Sequence, residues 1–333
     1  MEFNFTKNKS FLITGGTGSF GKAMVEYLFN LKNRPKSLRV VVYSRDELKQ
    51  SEMQKIYDSK KYSNLRFFLG DVRDKDRLKL ALEGVDTIIH AAALKQVPTA
   101  EYNPTEFIKT NIIGAQNIIE ASLDSKIRNV IALSTDKASS PINLYGATKL
   151  CSDKLFTSAN NIKGRKNIKF SVVRYGNVFG SRGSIAPIFS QIKKDQKYLV
   201  TDVSMTRFNI TLQKSIEMVL WALKNMHGGE IFVPKIPSYN ILDLVKAFNP
   251  NAKIKIIGIR AGEKLHEEMI SIDESINTID LKQYYAILNE GCKLSAKYKK
   301  SKYVKKNFNY NSGENPHFLS VTDLRKIIKS ELR

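Results

Sequence analysis

The stretch SFLITGGTGSFG, residues 10–21, decides the fold of this chain. Its first five residues are mostly apolar, as in a short buried strand, and they run directly into a cluster of glycines. After the glycines, KAMVEYLFNL (22–31) has apolar residues at helical spacing. The stretch therefore predicts a strand, a tight glycine turn and a helix in succession.

The glycines of this turn fit the fingerprint of a dinucleotide-binding loop. Gly16, Gly18 and Gly21 match the pattern G-x-G-x-x-G. Gly15 takes the place of Gly16 in the G-x-x-G-x-x-G variant. Glycine is needed because the backbone must turn tightly and approach a pyrophosphate, whose charge is met by the helix N-terminus. Because a strand precedes the loop and a helix follows it, the loop predicts dinucleotide binding.

Further strand-like runs, rich in valine, isoleucine and phenylalanine, follow along the chain. They are RVVVYSRDE (39–47), LRFFLGDVRD (65–74), VDTIIHAAAL (85–94), NVIALSTDK (129–137) and NIKFSVVRYGNVFG (167–180). Helical stretches separate them, for example 104–123. This alternation predicts an α/β fold with a doubly wound parallel Rossmann sheet.

The pattern changes after residue 180, which predicts a second, smaller unit. We expect a Rossmann domain over 1–180, to which a segment at about 208–238 returns through the strand EIFVPK (230–235). Residues 181–207 and 239–333 then form a smaller C-terminal α/β domain that binds the substrate.

Composition excludes several classes of protein. With 333 residues, 42% of them hydrophobic and 26% charged, the chain has the composition of a globular protein and not of a disordered one. No apolar run reaches the roughly 18 residues that span a bilayer. The N-terminal stretch 1–10 lacks the basic n-region and the apolar h-region of a signal peptide, so we expect none. Cys151 and Cys292 form no CxxC pattern, so we interpret both as reduced thiols of a cytoplasmic protein. The four histidines lack metal-ligand spacing, and we expect no metal.

The formal net charge of +22 indicates a polyanionic or anionic ligand, or simply a lysine-rich surface. The densest basic run, 297–306, contains two tyrosines. No RNP, KH or zinc pattern accompanies it, so we expect no nucleic-acid partner. A non-catalytic nucleic-acid-binding protein stays as a remote alternative.

The stretch STDKASSPINLYGATK (134–149) carries the chemistry. Tyr145 and Lys149 are four residues apart and share one face of a helix. A nearby ammonium favours the phenolate, so we expect a lowered tyrosine pKa and proton removal from a sugar hydroxyl while hydride leaves the same carbon. The adjacent acid and base, Asp136 and Lys137, indicate a second proton-transfer step, as in an oxidation coupled to an elimination.

The end of the second strand bears on the choice of cofactor. An Asp or Glu there normally binds the ribose 2′-hydroxyl of NAD, whereas this chain reads Tyr43-Ser44-Arg45-Asp46. Arg45 would stack on adenine and meet a 2′-phosphate, assisted by Ser44 and Lys49, which favours NADP. The alternative is that Arg45 is a surface residue and Asp46 binds the ribose. Asp71 and Val72, after the third strand, are placed to hold the adenine edge.

With these motifs together, the chain resembles the extended short-chain dehydrogenase/reductase superfamily. Thr135-Asp136-Lys137 is similar to the corresponding triplet of the UDP-N-acetylglucosamine 4,6-dehydratases, and the match is best with their short, C5-inverting branch. Further matching segments are GDVRD (70–74), HAAALK (90–95), AEYNP (100–104), RYGNV (174–178), SRGS (181–184), MTRF (205–208), GGEIFVPK (228–235) and IRAGEKLHE (259–267).

The resemblance implies an NADP-dependent lyase that converts UDP-N-acetylglucosamine into UDP-2-acetamido-2,6-dideoxy-β-L-arabino-hex-4-ulose. This is the first step toward pseudaminic acid, which modifies flagellin or a surface glycan. Tyr145 would take the O4 proton, Lys137 the C5 proton, and Asp136 would protonate the departing 6-hydroxyl. Thr135 would bond the 4-oxygen, and Lys149 the nicotinamide ribose.

The resemblance also assigns binding residues and a homo-oligomeric state, as a dimer or a hexamer. The cofactor-binding residues are Gly15, Thr17, Gly18, Ser19, Phe20, Gly21, Ser44, Arg45, Lys49, Asp71, Val72, Ala91, Ala92, Lys95, Tyr145 and Lys149. The substrate-binding residues are Lys95, Asn177, Arg182, Arg207, Arg260 and Glu263. A UDP-sugar 4-epimerase and a retaining 4,6-dehydratase on the same fold remain alternatives.

Overall fold

A computed structural model describes residues 9–58, 60–181, 183–193, 196–289 and 298–332. Its centre is a ten-stranded sheet, of which seven neighbouring strands run parallel in the order β3-β2-β1-β4-β5-β6-β10. These strands are β1 (Ser10–Thr14), β2 (Arg39–Ser44), β3 (Leu65–Leu69), β4 (Thr87–His90), β5 (Asn129–Thr135), β6 (Lys169–Tyr175) and β10 (Glu230–Pro234). The predicted doubly wound parallel sheet is confirmed, and β10 pairs with β6 within it.

Helices cover both faces of this sheet, because its central strands are apolar on both sides. Side chains of three helices pack in the core on one face, namely α1 (Ser19–Asn30), α2 (Glu47–Ile56) and α9 (Leu212–Asn225). The other face packs against α3 (Lys75–Ala81), α6 (Gly114–Leu123) and α7 (Leu144–Ile162).

The predicted helical stretch 104–123 is helical throughout but not uniform. After α4 (Val97–Tyr102), it comprises α5 (Pro104–Phe107), a π-helical segment (Ile108–Ile113) and then α6. π-Helical turns occur frequently at functional sites. Here the segment carries Asn111, whose amide bonds the backbone N–H and C=O of Leu94 and the hydroxyl of Thr148. Through these hydrogen bonds, the π-helical segment fixes the position of the loop after β4.

Part of the segment 239–333 belongs to the central sheet. The segment 239–333 does not lie wholly outside the Rossmann sheet, because three of its strands extend that sheet in antiparallel fashion beyond β10. They are β14 (Thr278–Asp280), β15 (Tyr284–Leu288) and β16 (Lys302–Tyr303). The division into two domains stays a prediction.

The remaining elements form a smaller layer over the carboxyl edge of the sheet. Its strands are β7 (Asn177–Val178), β8 (Tyr198–Val200), β9 (Thr206–Ile210), β11 (Ser238–Asn240), β12 (Ile254–Ile256), β13 (Glu268–Ile270) and β17 (Tyr310–Asn311). Its helices are α8 (Ile185–Ser190), α10 (Ile241–Phe248), α11 (Ile272–Ser275) and α12 (Val321–Glu331). Phe189, Leu244 and Leu324 are among the residues that give it a core of its own.

Two other features bear on the expectations from composition. Cys151 is an exposed free thiol, and Cys292 lies outside the described residues. Within the described ranges, no helix combines the length and the apolar character needed to cross a bilayer. The same ranges hold no group of three or more side chains able to bind a metal ion.

Candidate active site

A large cleft lies at the carboxyl ends of the parallel strands, where ligands bind in doubly wound sheets. Its cavity of about 1300 Å³ runs from the glycine loop to the segment 260–267. All predicted site residues within the described ranges line this cleft except Asp136, which is fully buried behind it. Arg182 lies outside the described residues.

The glycine loop is built for close backbone approach. Gly15 has a φ of +64°, and a Cβ there would lie 2.9 Å from the backbone of Ala92. A Cβ on Gly21 would lie 2.4 Å from Gly16. Gly18 caps α1 with no side-chain hydrogen bond, which leaves the first N–H groups of the helix available to an anion. These features fit a bound dinucleotide, with Ser19, Phe20 and Thr17 also on the cleft wall.

The end of β2 separates the two interpretations of the cofactor site. The Asp46 carboxylate caps α2 by accepting from the Lys49 backbone N–H at 3.0 Å, and it also pairs with the Lys49 ammonium. Asp46 is therefore already engaged. Arg45 is half exposed and lies 3.6 Å from Asp71, while Ser44 bonds Thr17 at 2.9 Å. The Arg45 guanidinium is thus an exposed cation on the cleft wall.

Asp71 and Val72, which are predicted to hold the adenine, are fixed in place by hydrogen bonds at the end of β3. The Tyr43 hydroxyl donates to the Asp71 carbonyl at 2.9 Å, and Val72 is buried with its carbonyl bonded by Asn117. Bonds from Arg73 outweigh partial burial and lower the pKa of Asp71. Asp71 is thus a fixed carboxylate.

The loop after β4 is positioned by a buried histidine. Thr14 lies 2.8 Å from Nδ1 of His90 and accepts from the Ala92 N–H. Burial and the charge of Lys149 lower the pKa of His90 to about 3, so this imidazole is neutral. Ala91 and Ala92 are thereby set against the glycine loop. Lys95 follows on the cleft wall, where desolvation and the charge of Lys137 lower its pKa.

Tyr145 and Lys149 both lie on α7, which Asn143 caps by accepting from the Gly146 N–H at 2.8 Å. The expected lowering of the tyrosine pKa is wrong for this state of the protein. Burial raises the pKa of Tyr145 to about 12, although Lys137 and a bond with Thr135 act in the opposite direction. Lys149 donates to the Leu133 carbonyl at 2.8 Å, and burial lowers its pKa.

Asp136 and Lys137 form a buried ionic cluster with Glu267. The Lys137 ammonium lies 3.1 Å from Asp136 and 2.8 Å from Glu267. Thr135 donates to the same Asp136 oxygen at 2.9 Å. Among the described residues, one oxygen of each carboxylate, Asp136 Oδ2 and Glu267 Oε2, has no hydrogen-bond partner. The cluster therefore joins the strand end at 135–137 to the segment 260–267.

The two carboxyls differ in electrostatic character. Burial raises the pKa of Asp136, which favours its protonated form. Burial also acts to raise the pKa of Glu267, but the charges of Lys137 and Arg207 outweigh it and lower that pKa. For Lys137, burial is outweighed by the two carboxyls, and its pKa is raised. In this state the cluster holds an ammonium, an ionised Glu267 and a carboxyl suited to donate a proton.

Arg207 connects the cluster to the predicted diphosphate site. It is buried, with Nε 3.6 Å from Glu267 and an η-nitrogen 3.8 Å from Glu263. It also donates to the carbonyls of Thr206 and Leu265. The other predicted substrate residues on this wall are Asn177, which is half-buried, and Arg260, which is exposed.

Glu267 was missed as a functional residue in the sequence, although it ends the matching motif 259–267. It lies 130 residues from Lys137, so only the fold brings the two together. The segment is fastened over the loop that follows β5 by Lys264, which donates to the Ser139 carbonyl, and by Asn143, which donates to the Gly262 carbonyl. Further unpredicted residues on the wall are Thr110, Asn209 and Tyr239.

Comparison with known proteins gives the family. The profile of a family described as Polysaccharide biosynthesis protein matches residues 11–289. The chain belongs to this family. It is 53% identical over 330 residues to UDP-N-acetylglucosamine 4,6-dehydratase (inverting) from Campylobacter jejuni subsp. jejuni serotype O:23/36 (strain 81-176), an alignment that covers 96% of this chain and 97% of the relative.

The chain is also similar to a second curated protein and to a solved structure. It is 43% identical over 297 residues to a UDP-glucose 4-epimerase from Rickettsia bellii (strain RML369-C), covering 87% and 86% of the two chains. The X-ray structure of Pen from Bacillus thuringiensis matches with a TM-score of 0.89 and 39% identity, over 99% of each chain. The resemblance drawn from the motifs is thereby confirmed.

Proposed function

We propose that this protein is a UDP-N-acetylglucosamine 4,6-dehydratase that inverts C5. The observation that carries the proposal is the buried cluster of Asp136, Lys137 and Glu267 beside Tyr145. A 4-epimerase needs only to oxidise and reduce C4, whereas an elimination needs an additional acid and base. The name of the Campylobacter relative supports the same activity.

A nicotinamide cofactor, when bound in the cleft, would supply reversible hydride transfer and, in its oxidised form, a positive charge. Tyr145 takes the proton of the sugar 4-hydroxyl, and Thr135, hydrogen-bonded to that phenol, bonds the 4-oxygen. Lys149 orients the nicotinamide ribose. Because burial raises the pKa of Tyr145 to about 12, the phenol needs added positive charge nearby before it can act as a base.

Lys137 must lose a proton before it can remove the one at C5. Glu267 lies 2.8 Å from the ammonium, within the reach of direct proton transfer. Asp136 is not available to accept it, because burial raises its pKa and so keeps it protonated, and that proton is needed for the 6-hydroxyl. We therefore assign the proton of Lys137 to Glu267. Thr135 lines the cleft and donates to Asp136 in this structure. With Asp136 protonated this bond reverses, and Thr135 gives its own proton to the leaving hydroxyl as it takes the one from Asp136.

For the cofactor we propose NADP. Asp46 is engaged as a helix cap and in an ion pair, so it is not free to accept from a ribose 2′-hydroxyl. Arg45, with more than half of its side chain exposed, can meet a 2′-phosphate with a bidentate contact. Ser44 lies beside it on the cleft wall.

For the substrate we propose that the UDP group lies along the wall formed by Asn177, Arg207, Arg260 and Glu263, with Lys95 near the sugar. Arg207 is buried, and two carbonyls and two carboxylates surround it. Because these contacts hold its guanidinium in place, Arg207 contributes a fixed positive charge to diphosphate binding. Arg260, which is exposed, is free to close on the diphosphate.

The biological setting belongs to the same proposal. Inversion at C5 gives the L-arabino product, which opens the route to pseudaminic acid for flagellin or a surface glycan. We also propose a cytoplasmic location and a homo-oligomer, as a dimer or hexamer. Light scattering coupled to size-exclusion chromatography measures the oligomeric state directly.

Mass spectrometry of the product separates this proposal from the epimerase alternative. Incubation of the purified protein with UDP-N-acetylglucosamine should give a nucleotide sugar lighter by one water. A product of unchanged mass, identified as UDP-N-acetylgalactosamine, would instead establish an epimerase. No conversion with added NADP+ or NAD+ would refute both activities for this substrate.

A further inference from the structure

Asn209 is a buried amide that faces the cleft with an unused acceptor. The residue is 4% exposed, and its Oδ1 has no hydrogen-bond partner among the described residues. It lines the cleft. A buried carbonyl without a partner is costly, and such groups in native proteins are commonly completed by a ligand.

The alternation of β9 explains why this amide points into the cleft. Phe208 and Ile210 lie on the same side of β9, and both are buried in the hydrophobic core. Arg207 and Asn209 therefore share the opposite side of the strand. Asn209 is also paired with Asn177 of the parallel strand β7. The strand thus presents an arginine and an amide side by side to the ligand.

This part of β9 lies close to the proposed reacting groups. A Cβ built on Gly176 would lie 2.6 Å from Phe208 Cβ and 3.4 Å from Asp136 Oδ2, so Phe208 and Asp136 flank the same glycine. Arg207, two residues before Asn209, lies 3.6 Å from Glu267. The amide is therefore near the sugar end of the site.

We infer that Asn209 determines specificity by accepting a hydrogen bond from an O–H or N–H group on the sugar of the nucleotide-sugar substrate. The inference rests on the proposed function. The ligand atom must be a donor, because Oδ1 can only accept. A diphosphate offers acceptors alone, so the donor belongs to the sugar or the base, and the nearness of Asp136 and Glu267 favours the sugar.

Titration calorimetry of the full chain tests this with UDP, UDP-glucose and UDP-N-acetylglucosamine. Asn209→Leu keeps the approximate size and removes the acceptor. It should leave UDP binding unchanged and weaken UDP-N-acetylglucosamine about tenfold. If Asn209→Leu weakens the binding of UDP-glucose by the same factor, the donor is a sugar hydroxyl. If it weakens the binding of UDP-N-acetylglucosamine alone, the donor is the acetamide N–H. Asn209→Asp, which keeps an acceptor, should preserve the ratio between UDP-sugar and UDP.

Asn315→Leu is the matched control. This asparagine is equally buried, but its amide donates to the Ile236 carbonyl and to Ser238. Its replacement should lower the melting temperature and leave the sugar-to-UDP ratio unchanged, whereas Asn209→Leu should leave the melting temperature unchanged or higher. An unchanged ratio in Asn209→Leu, or an equal loss for UDP, would overturn the inference. A wild-type protein that binds no UDP-sugar would refute the proposed function itself.

Discussion

At the scale of the residue, the central feature is one ammonium between two carboxyls of different character. Lys137 contacts Asp136 and Glu267, and its pKa is raised because these charges outweigh its burial. Asp136 and Lys137 could be recognised from sequence because they are adjacent. Their protonation states could not, because they depend on burial and on Glu267, which is remote in sequence.

Glu267→Gln tests the proton route directly. It keeps the size of the side chain and removes the proposed acceptor, so kcat should fall by about 100-fold or more. If Lys137 instead lost its proton to solvent, removal of a neighbouring carboxylate would make that loss easier and kcat would hold or rise. Glu268→Gln is the control, since Glu268 bonds Ser140 and Asn309 outside the cleft. Single-turnover kinetics at several pH values distinguish these outcomes.

Arg45→Ala tests the cofactor assignment. Loss of charge-assisted bonds to a 2′-phosphate should weaken NADP+ binding by about 10- to 100-fold and leave NAD+ nearly unchanged. Arg66→Ala, an exposed arginine on the neighbouring strand, should alter neither. Fluorescence titration measures both affinities. Tighter binding of NAD+ than of NADP+ by the wild-type protein would contradict the assignment.

His90 predicts a pH dependence of stability. Its folded pKa of about 3 lies below the usual value of 6.5, so the unfolded state binds one more proton between these values. The stability contribution is complete above pH 6.5 and is lost as pH falls, at about 1.4 kcal/mol per unit. His90→Asn should lack this slope in urea unfolding at pH 7, 6 and 5. An identical slope in wild type and variant would refute it, and exposed His317→Asn is the control.

At the scale of the element, Arg174 ties β6 to the helices around the site. It is fully buried, pairs with Asp153 of α7 at 3.2 Å and Glu274 of α11 at 2.9 Å, and donates to the Met269 carbonyl. Asp153 is also bonded by Ser134 at the end of β5. The network holds α7, which carries the proposed catalytic tyrosine and lysine, against the strand end that carries Asp136 and Lys137.

Arg174→Met should therefore cost about 3–5 kcal/mol of unfolding free energy, because Asp153 and Glu274 are left without their cation. Lys214→Met is the comparison: its ammonium is exposed and pairs with Glu217 in the same helix, so the loss should stay below about 1 kcal/mol. Chemical denaturation measures both. If both variants lost the same unfolding free energy, the buried network would contribute no more to stability than an exposed ion pair.

The parallel strands were predictable because each is a short apolar run placed between helical periods. The π-helical segment Ile108–Ile113 was not predictable in this way. Its Asn111 side chain bonds Leu94 and Thr148, which are remote in the sequence and are brought close only by the fold. Strands β14 and β15 also escaped prediction. Each is only a few residues long, and their place beside β10 is set by tertiary pairing.

At the scale of the whole molecule, two parts of the chain meet across the cleft. The Rossmann sheet and its helices supply the glycine loop, the proposed acid and base, and α7 with Tyr145 and Lys149. The segment 260–267 supplies Glu267 from the other side, fastened by Lys264 and Asn143. The cluster of Asp136, Lys137 and Glu267 therefore forms only when the two parts are joined. Motif spacing in the sequence revealed only Asp136 and Lys137, because Glu267 is 130 residues from Lys137.

The most direct test of the account is an NMR time course of the wild-type protein with UDP-N-acetylglucosamine in D2O. The cluster predicts a 4-keto-6-deoxy product with deuterium at C5 and the L-arabino configuration, because Lys137 removes the C5 proton and solvent deuterium returns on the opposite face. A product that retains its original C5 proton, or one formed first with the D-xylo configuration, would contradict the account.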